Sequence, residues 1–402
     1  MWKIQLRKAM LASSTADSNG IFALKEMSKV KIYIKKSVQN INNERKYLSM
    51  LNHPFIINMN YAFETEEKLY IVMDYLSGGD LRYYLCRHNR MSETKVKFIV
   101  SNILLALKYI HSKHIIHRDL KPENLVFDSK GYLHLTDFGI SHEYNEGDEL
   151  VDASGTPGYM APEIVLRKPH DYSVDFFGLG VIIYELITGK RPYSGKTRKD
   201  LKEQMLSKEG RLTVEMLPRK WKDVKVIDFV NGLLKRKQNE RLGCNGVEEV
   251  MRHEWLDNVD WEEVEAMRAK SPFRIGDEDN FDQDYANSED EEEYSKDKEY
   301  YLRIVNRNQF FKGYYFNVIE SQRKKIEEKE NQNDTSTIST AHTTRSVFNK
   351  VPPHRNRKYT CKKEKSIRSI SPFMPMMNDE RSTIDPLSVR VSPRMSRGRI
   401  NS

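Results

Sequence analysis

The stretch His117-Arg118-Asp119-Leu120-Lys121-Pro122-Glu123-Asn124 is the most informative part of this chain. Eighteen residues after its single aspartate, Asp119, comes Asp137-Phe138-Gly139, and Ala161-Pro162-Glu163 follows further on. Upstream of all three lies Phe22-Ala23-Leu24-Lys25. Any one of these short motifs arises often by chance, but the whole set in this order almost never does. The sequence therefore predicts one functional site assembled from distant parts of the chain.

Basic residues are concentrated towards the C-terminal end. Residues 331–402 contain 14 Lys and Arg against 5 Asp and Glu, a net charge of +9, whereas the whole 402-residue chain carries +8. Residues 1–275 hold most of the apolar side chains, enough for one large or two ordinary domains. The tail lacks hydrophobic periodicity and is predicted to be disordered. A basic tail can instead contact a membrane or nucleic acid, but we favour a solvated tail and expect no nucleic-acid partner.

Cysteine usage and hydropathy indicate a reducing compartment. The three cysteines, Cys86, Cys244 and Cys361, lack metal-ligand spacing and are expected to be reduced thiols. No run of about 18 apolar residues is present, so no transmembrane segment is expected. The residues after Met1 do not form the apolar core of a signal peptide. These features predict a cytoplasmic or nuclear location.

The apolar periodicity predicts a strand-rich start followed by a helical body. We predict strands over residues 1–35 and 68–75, helices over 37–50, 93–111 and 176–187, and a strand pair ending at Leu133-His134-Leu135. Gly78-Gly79 separates the two parts and is typical of a hinge. Beyond residue 276 the composition becomes acidic, and a short polar helix is predicted over 319–330.

The motif set resembles that of the eukaryotic protein kinases over about residues 2–270. Within that family the chain is similar to the AGC-group serine/threonine kinases, such as the cyclic-nucleotide-dependent kinases. The similarity is carried by Phe22-Ala23-Leu24-Lys25-Glu26-Met27, Leu51-Asn52-His53-Pro54-Phe55, Gly78-Gly79-Asp80-Leu81, Lys121-Pro122-Glu123-Asn124, Asn280-Phe281-Asp282 and the aromatic cluster at 311–316.

The resemblance implies an α+β fold of two lobes with ATP in the cleft between them. A small, mostly β lobe would span residues 1–76, a larger helical lobe 77–256, a C-terminal extension 257–318 and a basic tail 319–402. The family's glycine-rich phosphate loop is absent, and Trp2-Lys3-Ile4 resembles the residues that follow it. We expect residues upstream of Met1 to supply this loop. The alternative is a chain that is crippled for ATP binding.

The resemblance assigns a role in phosphate transfer to five residues. Transfer of a phosphoryl group requires positioning and charge compensation rather than covalent chemistry by the protein. Asp119 would accept the proton of the substrate hydroxyl, Thr156 would fix Asp119 by a hydrogen bond, and Lys121 would compensate charge on the transferred group. Asp137 and Asn124 would hold Mg²⁺, which prefers a few protein oxygens together with phosphate oxygens.

Further residues are implied in ATP binding. Lys25 would pair with Glu44, 19 residues later, and hold the α- and β-phosphates. The alternative for Glu44 is an exposed helix carboxylate. The remaining positions implied around ATP are Met73, Asp74 and Leu76 at the adenine edge, Ala23 and Val126 on its two faces, and Phe281 as a tether of the acidic segment across the cleft.

Several packing contacts follow from the same resemblance. Glu163 would pair with Arg241, and the C-terminal aromatic cluster would dock on the small lobe through Phe311 and Tyr314, with Tyr315 at a position that is usually a Ser/Thr phosphorylation site. The residues of an expected buried spine are Leu48, Met59, His117 and Phe138, anchored by Asp175.

The acidic residues Asp80, Glu123 and Glu185 match positions that bind arginine upstream of the acceptor in this group. We therefore predict protein substrates with basic residues near the target Ser or Thr. The alternative for Glu185 is a purely structural role.

Two further departures from the family concern activation. Asp152 stands where the group usually has a phosphorylated threonine, and we expect its carboxylate to pair with Arg118 and partly imitate phosphate. His142 replaces a basic residue and weakens the expected phosphate-receiving pocket. Activity would then depend less on an upstream kinase.

The leading hypothesis is an ATP- and Mg²⁺-dependent serine/threonine kinase. A non-catalytic pseudokinase scaffold is the main alternative, since the glycine-rich loop is missing. A calcium/calmodulin-regulated kinase is less favoured, because no basic amphipathic helix follows the catalytic core.

Overall fold

The computed structural model describes residues 6–10, 21–145, 147–195, 197–207, 210–221, 223–276 and 297–325. The predictions for Phe281, for the acidic segment around it and for the basic tail from 326 onwards lie outside these residues.

The small lobe is built on a five-stranded antiparallel sheet. In sheet order its strands are β1 (Leu6–Met10), β2 (Ile21–Ser28), β4 (Lys68–Asp74), β3 (Met59–Glu64) and β9 (Phe316–Asn317). Helix α2 (Val38–Met50) accompanies this sheet and matches the helix predicted over 37–50. Strand β9 comes from the C-terminal extension, so residues far apart in sequence complete the sheet.

The prediction of strands throughout residues 1–35 is wrong after Ser28. The chain forms α1 (Lys29–Ile34) there, and the Ser28 hydroxyl accepts a hydrogen bond from the Lys31 backbone N–H at 3.4 Å. Val30 and Ile32 of this helix are each 2% exposed. A helix of six residues is too short to be stable by itself, so its packing contacts decide its conformation.

The larger lobe is mainly helical. Its helices are α3 (Leu81–His88), α4 (Glu93–Ser112), α5 (Pro162–Val165), α6 (Ser173–Thr188), α7 (Arg198–Ser207), α8 (Lys225–Leu233), α9 (Val247–Met251) and α10 (Trp261–Glu265). Single 3₁₀ turns occur at Pro122–Asn124, Val214–Met216, Gln238–Glu240 and Glu254–Leu256. Helix α6 is apolar on almost every side and almost entirely buried, which is the expected place for such a helix.

Four short strands lie beside the cleft. They are β5 (Ile115–Ile116), β6 (Leu125–Phe127), β7 (Leu133–Leu135) and β8 (His142–Glu143), with β6 paired to β7 and β5 to β8. The predicted strand pair ending at Leu135 is therefore present. The two-lobed α+β fold is confirmed.

Gly78 lies where the two lobes join and makes a close backbone contact. Its N–H donates to the carbonyl of Phe127 at 2.8 Å. A Cβ at this position would lie 2.5 Å from the Cβ of Phe127. The glycine is thus needed for close approach of two chain segments, in addition to the hinge role expected from the sequence.

The C-terminal extension docks on the small lobe. Helix α11 (Lys298–Arg307) packs beside α1, and Tyr33 stacks on Phe310 with ring centroids 5.6 Å apart. Phe311 and Tyr314 are 3% and 2% exposed. Arg45 of α2 donates to the backbone oxygen of Tyr314 at 3.1 Å. The chain is helical again over 318–325, inside the predicted 319–330 helix except for its first residue.

Candidate active site

A buried carboxylate, that of Asp175, holds the backbone of the loop that carries Asp119. Asp175, on α6, accepts the backbone N–H groups of His117 at 2.9 Å and of Arg118 at 2.8 Å. Burial alone would raise the pKa of Asp175, but hydrogen bonding and the charge of His111 and His117 lower it below its usual value. Arg118 has a φ of 67°, a conformation that needs such support in a residue with a side chain.

Both oxygens of the Asp119 carboxylate are held by hydrogen-bond donors. Its Oδ1 accepts from the backbone N–H of Thr156 at 3.0 Å and from the Thr156 hydroxyl at 2.7 Å. Its Oδ2 accepts from the Asn124 side-chain amide at 3.1 Å and from the Lys121 ammonium. Lys121 also donates to the Thr156 hydroxyl at 2.9 Å. The carboxylate is therefore fixed in one orientation at the end of the loop, and it is only 8% exposed.

Lys25 and Glu44 form a buried pair in the small lobe. The Lys25 Nζ lies 2.6 Å and 2.7 Å from the two Glu44 carboxylate oxygens, and the residues are 6% and 4% exposed. Burial raises the pKa of Glu44, the charge of Lys25 offsets part of this rise, and the nearby charge of Asp137 adds to it. The helix carboxylate is thus not exposed, and the pair lies within electrostatic reach of Asp137.

The two proposed cation ligands, Asn124 and Asp137, are tied together through Thr136. The backbone oxygen of Asn124 accepts the N–H of Thr136 at 2.9 Å and its hydroxyl at 3.1 Å. The Asn124 Nδ2 donates to Asp119, which turns its amide oxygen away from that carboxylate. In the part of the chain that the structure describes, no group of three or more His, Cys, Asp or Glu side chains is placed to hold a metal ion. One carboxylate and one amide fit Mg²⁺ that is shared with phosphate oxygens.

The residues expected around adenine lie on the strands that face the cleft. Ala23 of β2 is opposite Met73 of β4, and they are 4% and 5% exposed. Val126 lies on β6, and Leu76 follows β4 and is half-buried. The Asp74 carboxylate accepts the Asn58 side-chain amide at 3.0 Å and the Asn60 amide at 3.3 Å, so it serves the small lobe's own structure.

The comparison with known families agrees with this geometry. The family model for the protein kinase domain matches residues 10–256. The chain belongs to this family.

Similar proteins support the same assignment. Serine/threonine-protein kinase sgk-1 of Caenorhabditis elegans is 37% identical over 260 residues, which make up 64% of this chain and 55% of that protein. Protein kinase 2 of Dictyostelium discoideum is 36% identical over 254 residues, 63% of this chain and 52% of that protein. Ribosomal protein S6 kinase alpha-3 of Homo sapiens is 35% identical over 311 residues, 77% of this chain and 41% of that protein.

The chain thus spans about half the length of the curated relatives that it matches. These relatives confirm the resemblance to AGC-group serine/threonine kinases. A protein kinase domain implies ATP as a substrate and typically Mg²⁺.

Asp152 of this kinase domain contacts the loop that carries Asp119. Its Oδ2 lies 3.0 Å from the Arg118 guanidinium and accepts the Ser154 hydroxyl at 2.9 Å. Burial would raise the pKa of Asp152, but Ser154 and Arg118 lower it below its usual value. Arg118 also donates to the Ile140 carbonyl at 2.7 Å, and the nearby His142 has a pKa lowered by burial and by Arg118. The sequence did not single out Ser154.

Arg241 and Glu163 form a second buried pair in the large lobe of this kinase domain. The guanidinium lies 2.6 Å and 3.0 Å from the two carboxylate oxygens, and Arg241 is 0% exposed. It also donates to the backbone oxygen of Ser173 at 2.9 Å and lies over the ring of Phe177. The pair ties the end of the loop containing Thr156 to the helical core.

The acidic residues expected to bind substrate lie near one arginine of the kinase domain itself. Arg82 contacts both Glu123 and Glu185, while Asp80 accepts the backbone N–H of Tyr83 at 2.8 Å and caps α3. Sequence reasoning missed Arg82. The sequence did contain a signal for it, because Arg82 lies two residues after Asp80, which was expected to bind substrate.

Proposed function

We propose that this chain is a serine/threonine protein kinase that transfers the γ-phosphate of ATP to hydroxyl groups of proteins. The observation that carries the proposal is the Asp119 carboxylate, which Thr156, Asn124 and Lys121 fix at the cleft. The buried Lys25–Glu44 pair adds support, because protein kinases need this pair to be in place for activity.

Asp119 is positioned to act as a base for a hydroxyl group, and its carboxylate already has a fixed orientation. Thr156 holds its Oδ1, so the carboxylate does not have to be reoriented when the substrate hydroxyl arrives. The Asp119 carboxylate accepts the hydroxyl proton and orients the oxygen for in-line attack. Lys121, beside it, compensates negative charge on the transferred group.

Asp137 and Asn124 would hold Mg²⁺, and Lys25 would hold the α- and β-phosphates. When bound, Mg²⁺ supplies charge compensation for the β- and γ-phosphates. Ala23 and Val126 would cover the two faces of adenine. Met73, Asp74 and Leu76 would contact its edge, and Asp74 would do so through its backbone because its carboxylate is committed to Asn58 and Asn60. The tether role of Phe281 stays a prediction.

We propose that substrates are proteins with basic residues near the acceptor. Glu185 is buried, while Glu123 and Asp80 are half-buried, and Arg82 balances only part of the negative charge of these three carboxylates. We also propose that the protein is located in the cytoplasm or nucleus. An upstream kinase is a further proposed partner. No helix among the described residues is long and apolar enough to cross a membrane.

A peptide with arginine upstream of its serine is expected to be phosphorylated a few-fold faster than the same peptide with alanine instead. The reason is attraction between the guanidinium and the partly buried carboxylates, which exposure and salt reduce. A gel assay with the two peptides measures the ratio. Equal rates would contradict the basic preference while leaving phosphate transfer itself unaffected.

Replacing Asp152 by alanine is expected to lower activity about two- to fivefold. The lost contact is a partly exposed ion pair, which contributes about 0.2–1 kcal/mol, and a single carboxylate is weaker than a phosphate group. The measurement is the initial rate of peptide phosphorylation. Glu149→Ala, in the same loop but exposed, is the matched control and should keep the wild-type rate. An Asp152→Ala rate equal to that of the control would refute the imitation of phosphate.

A further inference from the structure

We propose that Arg82 determines substrate specificity by occupying the place between Glu123 and Glu185 where an arginine of the substrate would otherwise bind. The inference rests on the proposed kinase function and deepens it. Arg82 lies on α3, and its positive charge limits how strongly the protein prefers basic substrates.

The guanidinium of Arg82 makes hydrogen bonds to three side chains. Its Nε donates to Glu123 Oε1 at 2.9 Å, and its Nη1 donates to Glu185 Oε1 at 2.9 Å. Its Nη2 donates to Glu185 Oε2 at 3.3 Å and contacts the Tyr159 hydroxyl. This arrangement uses the planar fork of an arginine on two carboxylates, which a substrate arginine would use in the same way.

Partial burial of the cluster strengthens these charged contacts, because solvent screens them less. The Glu185 side chain is 9% exposed, whereas those of Arg82 and Glu123 are 28% and 25% exposed. Burial alone would lower the pKa of Arg82, but Glu185, Tyr159 and Glu123 together raise it above its usual value. Arg82 is therefore charged at neutral pH.

The cluster of Arg82, Glu123 and Glu185 keeps a net negative charge. Two carboxylates and one guanidinium carry a net charge of −1, and Tyr159 is neutral because burial and Glu185 raise its pKa. Among the described residues, the buried Oε2 of Glu123 has no hydrogen-bond partner. This acceptor is buried, so an incoming basic side chain must displace Arg82 before it can contact Glu123 and Glu185.

Removal of Arg82 should therefore sharpen the preference for arginine. In Arg82→Ala both carboxylates become free to bind a substrate guanidinium through charge-assisted hydrogen bonds. We expect the kcat/KM ratio between arginine and alanine peptides to rise at least about tenfold over the wild-type ratio. Arg82→Lys keeps the charge near the carboxylates, and its ratio should stay close to that of the wild type.

The experiment uses the full chain and a set of serine peptides. In each peptide, one position from the second to the fifth before the acceptor serine is either arginine or alanine. Arg87→Ala is the matched control, since Arg87 lies on the same helix and over the Tyr83 ring, 4.2 Å from its centroid. Its ratio should equal the wild-type ratio. Arg82→Met is measured beside Arg82→Ala, because its longer stem preserves packing if the smaller side chain destabilises the fold.

Peptide binding, followed by fluorescence anisotropy, separates this inference from the proposed activity. Stronger selection of arginine peptides by a folded Arg82 variant, without phosphate transfer, would support the role of Arg82 and refute the kinase activity. Phosphate transfer with an unchanged arginine-to-alanine ratio in both folded variants would overturn the role of Arg82. Thermal unfolding shows which of the variants is folded.

Discussion

The Asp119→Asn variant is expected to transfer phosphate about 10²–10⁴-fold more slowly than the wild type, because asparagine cannot accept the hydroxyl proton. The new amide can still accept the Thr156 hydroxyl at its Oδ1. Its nitrogen, however, would face the donors of Lys121 and Asn124 that now contact Oδ2. The substitution therefore also weakens the positioning of the loop.

The measurement is transfer of labelled γ-phosphate from Mg-ATP to an arginine-rich serine peptide. Asp148→Asn serves as control, since Asp148 is exposed and caps the Asn145 backbone N–H at 2.8 Å. It should retain the wild-type rate. Equal transfer by wild type and Asp119→Asn would contradict the assigned base. Absence of transfer by both chains would favour the pseudokinase scaffold.

The Arg241→Ala variant is expected to lose about 3–5 kcal/mol of unfolding free energy. Removing the guanidinium leaves the Glu163 carboxylate buried without its partner, and an uncompensated buried charge is costly. The backbone oxygen of Ser173 also loses its donor. Urea unfolding at neutral pH measures the loss through the shift of the midpoint at constant slope.

Two variants make this test specific. Lys237→Ala breaks an exposed pair with Glu240, in which Lys237 is 71% and Glu240 49% exposed, and should leave the urea midpoint close to that of the wild type. The double variant Glu163→Gln with Arg241→Met should lose less than the sum of its single changes, because no unpaired charge remains. A loss for Arg241→Ala no larger than for Lys237→Ala would show that the buried pair is not important for stability.

Local sequence patterns accounted for the long elements of the fold. The apolar stripe over 93–111 predicted α4, and the continuous apolar run from Phe176 predicted the buried α6, because long periodic segments allow few other conformations. The six-residue α1 was predicted as strand. Its Lys-rich sequence carries little periodic signal, and its conformation depends on burial of Val30 and Ile32 and on α11 beside it.

The sequence by itself determined the family and the candidate residues Lys25, Asp119 and Asp137, because their chemistry is written in short motifs with characteristic order and spacing. Only the tertiary structure decided that Arg82 pairs with residues 41 and 103 positions away along the chain. Motifs report local conformation and chemistry. The partner of a charged side chain depends instead on which distant segments fold against it, and no short pattern contains that information.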